Sequence, residues 1–364
     1  MTRLPGQPEL HAAQFSGYVH VNRGASLFYW LVEAVVDNKK KPLVLWLNRG
    51  PGCSSIGYGA FQELGPCLVS HIGTEKRTCC SWIRLPELGF LSPLTSSLDM
   101  ETTPQRFPGY KRRAFYIAGE SYAGYYIPSL AEIILKRNSG KTNPVMNLRG
   151  ILMGNPALDR ETELKGRALY FWSHGLISDD TYQGLSSTLC SSLKTYRLKA
   201  CEPYFIIYLL KEAGNVNGFN VLRTECKKKE VSKYCLDWIT TKYMNRKDVQ
   251  QAFHAIPTAW TLCSKAIQQS YSLPAKEKSM LPTHSGATHS VGLANLDIQW
   301  RCRFNDSFHS NSDCYFQAAS QEEGKMISGW SEIYEGITFV TIRGCSHEVP
   351  MYAPTQALKV SSTF

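Results

Sequence analysis

The stretch "FYIAGESYAGYYIPSL", residues 115–130, decides the reading of this 364-residue chain. It begins as an apolar run of strand length, and the residues beyond set Ile127, Leu130, Ala131, Ile134 and Leu135 on one helical face. Lys136 and Arg137 occupy the last turn of that helix, and Asn138 and Gly140 follow as stop signals. Between strand and helix stands Ser121, with Gly119 two residues before it and Ala123 two residues after. Small residues there permit a strained turn that lifts the serine hydroxyl clear of a sheet, beside the positive end of the helix. Gly119-Glu120-Ser121-Tyr122-Ala123-Gly124 therefore predicts a nucleophile elbow with Ser121 as the attacking group.

Apolar runs of the same kind recur on both sides of the elbow. "KPLVLWLN" (41–48), "LRGILMGNPAL" (148–158) and "GITFVTIRG" (336–344) suit strands buried on both faces. Strands alternating with helices predict an α/β fold with a mainly parallel, doubly wound sheet. Residues 160–260 read mostly as helices: "SDDTYQGL" (178–185) opens with a Ser/Asp cap, and "NRKDVQQAFHA" (245–255) with an Asn cap followed by Asp248. Cys190, Cys201, Cys226 and Cys235 fall in the same stretch, which predicts a disulfide-stapled helical insertion over the carboxyl edge of the sheet. By order, Cys190 would pair with Cys201 and Cys226 with Cys235.

The chain is 43% hydrophobic and 19% charged, the composition of a globular protein with a large core. Its net charge of +10 raises the question of an anionic partner. The basic residues, however, lie in short scattered runs such as "NKKKP" (38–42) and "CKKKE" (226–230), accompany no nucleic-acid-binding motif, and read as solvated surface. No apolar run approaches the roughly 18 residues that a membrane span needs. The first residues, "MTRLPGQPELHAAQ", lack the charged-then-apolar order of a signal peptide. Twelve cysteines at irregular spacings, with Cys79 and Cys80 adjacent, fit no metal site and predict disulfides in an oxidising compartment. The glycosylation sequon at Asn305, Asn305-Asp306-Ser307, agrees with that placement.

Further blocks surround the elbow: "FSGYVHVN" (15–22), "KPLVLWLNRGPGCSSIGYGAFQELGP" (41–66), "GILMGNPALD" (150–159), "YMNRKDVQQAFHA" (243–255) and "GITFVTIRGCSHEVPMYAPTQAL" (336–358). In content and order they resemble the serine carboxypeptidases, specifically the plant type II serine carboxypeptidase-like proteins. The resemblance implies an α/β-hydrolase fold: residues 1–159 form the N-terminal part of the core, 160–260 the helical insertion, and 261–364 the C-terminal part carrying the catalytic histidine. It also implies roles for single residues. Ser121 attacks the scissile carbonyl, and His347 in "GCSHEVP" takes its proton and passes it to the leaving amine. The backbone N–H groups of Gly50 and Tyr122 form the oxyanion hole. Asn48 and Glu120 bind the free carboxylate at the substrate's C-terminus, which requires a protonated Glu120 with a raised pKa and favours activity at acidic pH. Cys53 is implied to pair with Cys263. The implied substrates are peptide or protein C-termini, with no metal or organic cofactor, a homodimer as a common family assembly, and a secreted or vacuolar location.

Three departures from the family pattern carry weight. Arg49 stands where the family has a glycine, so a side chain intrudes on the site, where its guanidinium is also able to attract a carboxylate. The stretch between Cys67 and Arg113 is short: "LGFLSPLTSS" (88–97) echoes a family strand, but the helix expected before "RFPGY" (106–110) is largely missing. The triad acid is not found, because "HSGATHSV" (284–291) has Ala287 and His289 at the family's two Asp positions. Asp297, in "LANLDIQW", is a substitute without a family counterpart. Two other readings stay open: acyl transfer from glucose esters, whose enzymes resemble "GDSYSG" at the elbow, and a catalytically inactive binding protein on the same fold.

Overall fold

A computed structural model describes residues 1, 3–21, 25–36, 40–65, 88–90, 108–110, 112–140, 146–186, 211–214, 216–221, 236–271, 279–280, 297–302, 314–316, 329–334 and 337–362. The three apolar runs around the elbow and the elbow's own strand all form strands. They are β3 (Leu43–Asn48), β5 (Phe115–Glu120), β6 (Leu148–Gly154) and β10 (Ile337–Ile342). Around them lie β1 (Gln14–Val21), β2 (Ala25–Val32), β4 (Leu88–Phe90), β7 (Asp297–Cys302), β8 (Cys314–Phe316) and β9 (Gly329–Tyr334). The order across the sheet is β1-β2-β4-β3-β5-β6-β7-β10-β9-β8. Neighbours from β4 to β10 are parallel, and antiparallel strands flank them at both ends.

Burial on both faces explains why β3 reads as an unbroken apolar run. Leu45 and Leu47 pack against Ile127, Leu130, Ala131 and Ile134 of α2 (Ala123–Asn138), the helix predicted after the elbow. Val44 and Trp46 pack on the other face, against Ile56, Ala60 and Phe61 of the π-helical α1 (Ile56–Glu63) and against Val249 and Phe253. Each such Leu or Ile side chain contributes about 1.5–3 kcal/mol on burial, so this sandwich fixes the centre of the sheet. The helices α3 (Arg160–Ser173), α4 (Asp179–Ser186), α5 (Leu236–Met244), α6 (Lys247–Ala252) and α7 (Lys265–Tyr271) fall between β6 and β7, and α8 (Val349–Tyr352) and α9 (Pro354–Ser362) follow β10.

The Ser178 hydroxyl accepts the Thr181 N–H at 3.2 Å, as its capping position predicts. The expected Asn245 cap is not formed. Arg246 is the residue before α6, and Asn245 closes α5 instead, donating to the Thr241 and Trp260 carbonyls at 2.7 and 2.8 Å and accepting the Trp260 N–H at 2.9 Å. Three hydrogen bonds, two of them to a segment 15 residues away, outweigh the single bond of a cap. Cys190, Cys201, Cys226, Cys235, Ala287, His289 and Asn305 lie outside the described residues. Among the described residues, no helix is long and apolar enough to cross a membrane and no His/Cys/Asp/Glu group could hold a metal ion.

Candidate active site

Three parallel strands end level with one another, because Asn48 pairs with Glu120 and Glu120 with Gly154. Ser121 follows directly at φ 64°, a left-handed conformation that costs a non-glycine residue about 1–2 kcal/mol. The surrounding backbone holds it there. Ser121 N–H donates to the Gly154 carbonyl at 3.0 Å, and its carbonyl accepts from Gly124 and Ala157 at 3.0 and 2.8 Å. The small residues of the elbow have a steric cause: a Cβ on Gly119 would stand 2.0 Å from the Leu47 carbonyl oxygen, and one on Gly124 2.3 Å from that of Ala157.

Beneath the elbow lies a cluster of buried carboxyl groups. Glu120 is 1% exposed and Asn48 2% exposed; the Asn48 Oδ1 has no hydrogen-bond partner, and the Glu120 and Glu63 carboxyl groups share a hydrogen bond. Asn48 N–H donates to Ser55 Oγ, and its Nδ2 donates to both carboxyl oxygens of Glu63, all at 3.0 Å. Burial, then the charges of Glu63 and Glu348, holds the Glu120 pKa well above the usual carboxylate range. Burial, then Glu348, pushes Glu63 up to about 7. In mildly acidic solution both groups carry protons. Neither Glu63 nor Glu348 stands out in the sequence, because nothing local marks them as facing inward.

His347 follows β10, between the left-handed Gly344 and α8. Its N–H donates to the Phe219 carbonyl at 3.1 Å, and the Asn155 Nδ2 donates to its carbonyl at 2.7 Å. Asn155, next after β6 at φ 40°, thereby ties the histidine loop to the strand end that also holds Ser121. The imidazole lies 5.0 Å from the Phe219 ring, and its Nε2 is buried without a partner, so no hydrogen bond from this nitrogen to Ser121 is made. Burial, then the positive charge of Arg49, lowers the His347 pKa to about 3. Arg49 itself sits at φ 61°, with its guanidinium paired to Glu348, 3.9 Å over the Tyr58 ring and 5.8 Å from the Phe219 ring. The Arg49 side chain thus lies between Tyr58 and Phe219, the ring that His347 also faces.

The family model for serine carboxypeptidase matches residues 5–94 and 104–364. The chain belongs to the serine carboxypeptidase family. Among similar proteins of Arabidopsis thaliana, Serine carboxypeptidase-like 28 is 36% identical over 427 aligned positions, spanning 99% of this chain and 89% of its own length. Serine carboxypeptidase 24 is 32% identical over 437 positions, spanning 99% and 90%. The crystal structure of Kex1, a prohormone-processing carboxypeptidase from Saccharomyces cerevisiae, superposes with a TM-score of 0.74 at 19% identity, over 96% of this chain and 91% of its own. The α/β-hydrolase fold and the serine carboxypeptidase class expected from the sequence are thus established. Both plant alignments are longer than the 364 residues here, so each relative carries segments that this carboxypeptidase lacks. The unmatched residues 95–103 fall in the interval that reads as short.

The strand register places the backbone of Asp297, the candidate substitute acid, away from the level of the elbow. Asp297 opens β7 and pairs with Ile151, whereas Trp300 pairs with Gly154 at the level of the elbow. Three residues of strand place it about 10 Å down the sheet, toward the amino edge, while His347 follows the carboxyl edge. Among the described residues no carboxylate hydrogen-bonds the imidazole. The implied Cys53–Cys263 disulfide is present and bridges a sequence separation of 210. Cys345, two residues before His347, is also disulfide-bonded, a cysteine to which the sequence assigns no partner. A separate cavity of about 320 Å³ lies behind the Cys53 turn, lined by Tyr18, Phe28, Phe253 and Trp260 among others, and neither Ser121 nor His347 lines it.

Proposed function

We propose that this serine carboxypeptidase releases C-terminal amino acids from peptides at acidic pH through an acyl-enzyme on Ser121. The observation that carries the reading is the side-by-side pairing of Asn48 and Glu120 at adjacent strand ends directly before Ser121, with the Asn48 Oδ1 buried and unpaired and Glu120 held protonated. Protonated Glu120 donates a hydrogen bond to the substrate's terminal carboxylate. Glu63, protonated below about pH 7, donates to the Asn48 amide oxygen, and the amide then turns its Nδ2 toward the same carboxylate. Ser121 Oγ attacks the last peptide carbonyl as His347 takes its proton. The oxyanion rests on the N–H groups of Gly50 and Tyr122, and collapse passes the His347 proton to the leaving amine. Water enters by the reverse sequence and frees the acyl group. An imidazole with a pKa of about 3 stays neutral throughout the acidic range, but its weak basicity slows proton uptake.

The test is release of a C-terminal residue, together with fluorophosphonate labelling, at pH 5. Wild type should be labelled and active, and Ser121→Ala should lose both, by more than about 10³-fold in turnover. A label that persists in Ser121→Ala would show that the nucleophile is another residue. A second reading, an inactive carboxylate-binding protein, is favoured by the unpartnered His347 Nε2 beside Arg49; it predicts no labelling of wild type. The Cys53–Cys263 bridge supports an oxidising compartment, secreted or vacuolar, and a homodimer belongs to the same proposal.

A further inference from the structure

Arg49 has an unusual combination of restraint and unspent bonding capacity. Its guanidinium is fixed by Glu348 and by the Tyr58 face, and its backbone N–H donates to the Glu120 carbonyl at 3.2 Å. Among the described residues, however, Glu348 is the sole acceptor given for a side chain that holds five N–H donors. Its Nε is buried with no partner, and about one fifth of the side chain (20%) is open to solvent. Beside it stand Asn48, whose buried Oδ1 has no partner, and Glu120, the strand partner of Asn48. The groups facing Arg49 are Tyr58 and Glu63 on α1, Glu120 at the end of β5, and His347 and Glu348 before α8. Burial keeps Tyr58 neutral up to about pH 12, Glu63 and Glu120 hold their protons in acid, and buried His347 stays uncharged. Glu348, whose own pKa burial raises against the pull of Arg49, is then the carboxyl group paired with the guanidinium, and an anion entering beside Asn48 meets a positive group with donors to spare.

We propose that Arg49 is a specificity-determining residue of this site, binding the substrate's terminal carboxylate ionically together with Asn48 and Glu120. The recognition of a free C-terminus then rests on charge as well as on hydrogen bonds. A peptide amide lacks that charge, so Arg49 selects acids over amides. The same contact has a second effect. Burial first and Arg49's charge second lower the proton affinity of His347, and a bound carboxylate offsets the second of these causes.

The proposal rests on the carboxypeptidase reading of the site, and a binding measurement separates the two because it needs no turnover. Calorimetry at pH 5 on Ser121→Ala protein compares N-acetyl-Phe-Leu with its C-terminal amide. The acid should bind more tightly. Adding Arg49→Met should cut that preference about 10- to 100-fold, the range of a hydrogen bond to a charged group, while affinity for the amide holds. Arg49→Lys should keep part of the preference, and Arg49→Gly, which suits φ 61°, serves as the second variant should Arg49→Met not fold. An unchanged preference, tighter acid binding after Arg49→Met, or binding of neither peptide would overturn the proposal. Amino-acid release by wild type reports separately on the carboxypeptidase reading.

Discussion

Glu63→Gln should flatten the dependence of stability on pH. Glu63 is 4% exposed, and burial followed by the charge of Glu348 raises its pKa from 4.5 to about 7. A carboxyl group raised on folding is bound to its proton in the native chain at pH values where the unfolded chain has released it. Stability is therefore fully present below about pH 4.5 and is lost as pH rises through about 7. The interval between those two values is worth about 3 kcal/mol, most of which falls between pH 5 and pH 8. Glutamine keeps the shape and an oxygen for the Asn48 Nδ2 but cannot ionise. Its neutrality also withdraws one cause of the raised Glu120 pKa, which acts in the same direction. His347 works oppositely, since its lowered pKa costs stability as pH falls from 6.5 toward about 3; that contribution is common to both proteins and cancels between them. Urea unfolding with disulfides intact, at pH 5 and pH 8, measures the difference. Wild type should lose roughly 2–3 kcal/mol more than Glu63→Gln over that range. Equal losses in the two proteins would refute a protonated, buried Glu63 and the amide rearrangement at Asn48 built on it.

Replacing both Cys53 and Cys263 by Ser opens a loop with a sequence separation of 210 and should lower stability by up to about 5 kcal/mol, read as a fall in the urea midpoint. A midpoint within error of wild type would show that the bridge does not constrain the unfolded chain. Asn155→Ala removes the 2.7 Å bond to the His347 carbonyl and leaves Ala at φ 40°, which should cost about 1–2 kcal/mol of stability. In the proposed mechanism, with His347 as base, turnover should fall about tenfold with little change in KM, because the bond holds the histidine loop and not the substrate. A change confined to KM would count against that role.

The elbow shows how far local pattern reaches. A strand, a strained turn between small residues and a helix are legible because each depends on residues within one or two turns of one another, and Leu47 against Gly119 explains afterwards why glycine stands there. Asn245 marks the limit of such reading. Its sequence context is that of a cap, but Trp260, brought alongside by the fold, offers it two further hydrogen bonds. Phe219 and Asn155 were likewise invisible as partners of His347, since each meets it across more than a hundred residues.

By itself the sequence determined the buried strands, the nucleophile elbow, the family and the roles that the family implies for Asn48, Glu120, Ser121 and His347. These follow from periodicity and from short contiguous motifs. The tertiary structure alone decided which charges share one low-dielectric space: Glu63 from α1, Glu348 from the histidine loop and Arg49 from the turn after β3 meet around Glu120, and their burial sets which of them hold protons. It also set Asp297 level with Ile151, three residues before the position that pairs with Gly154, because strand register is settled by pairing between distant segments and not by the residues of any one of them.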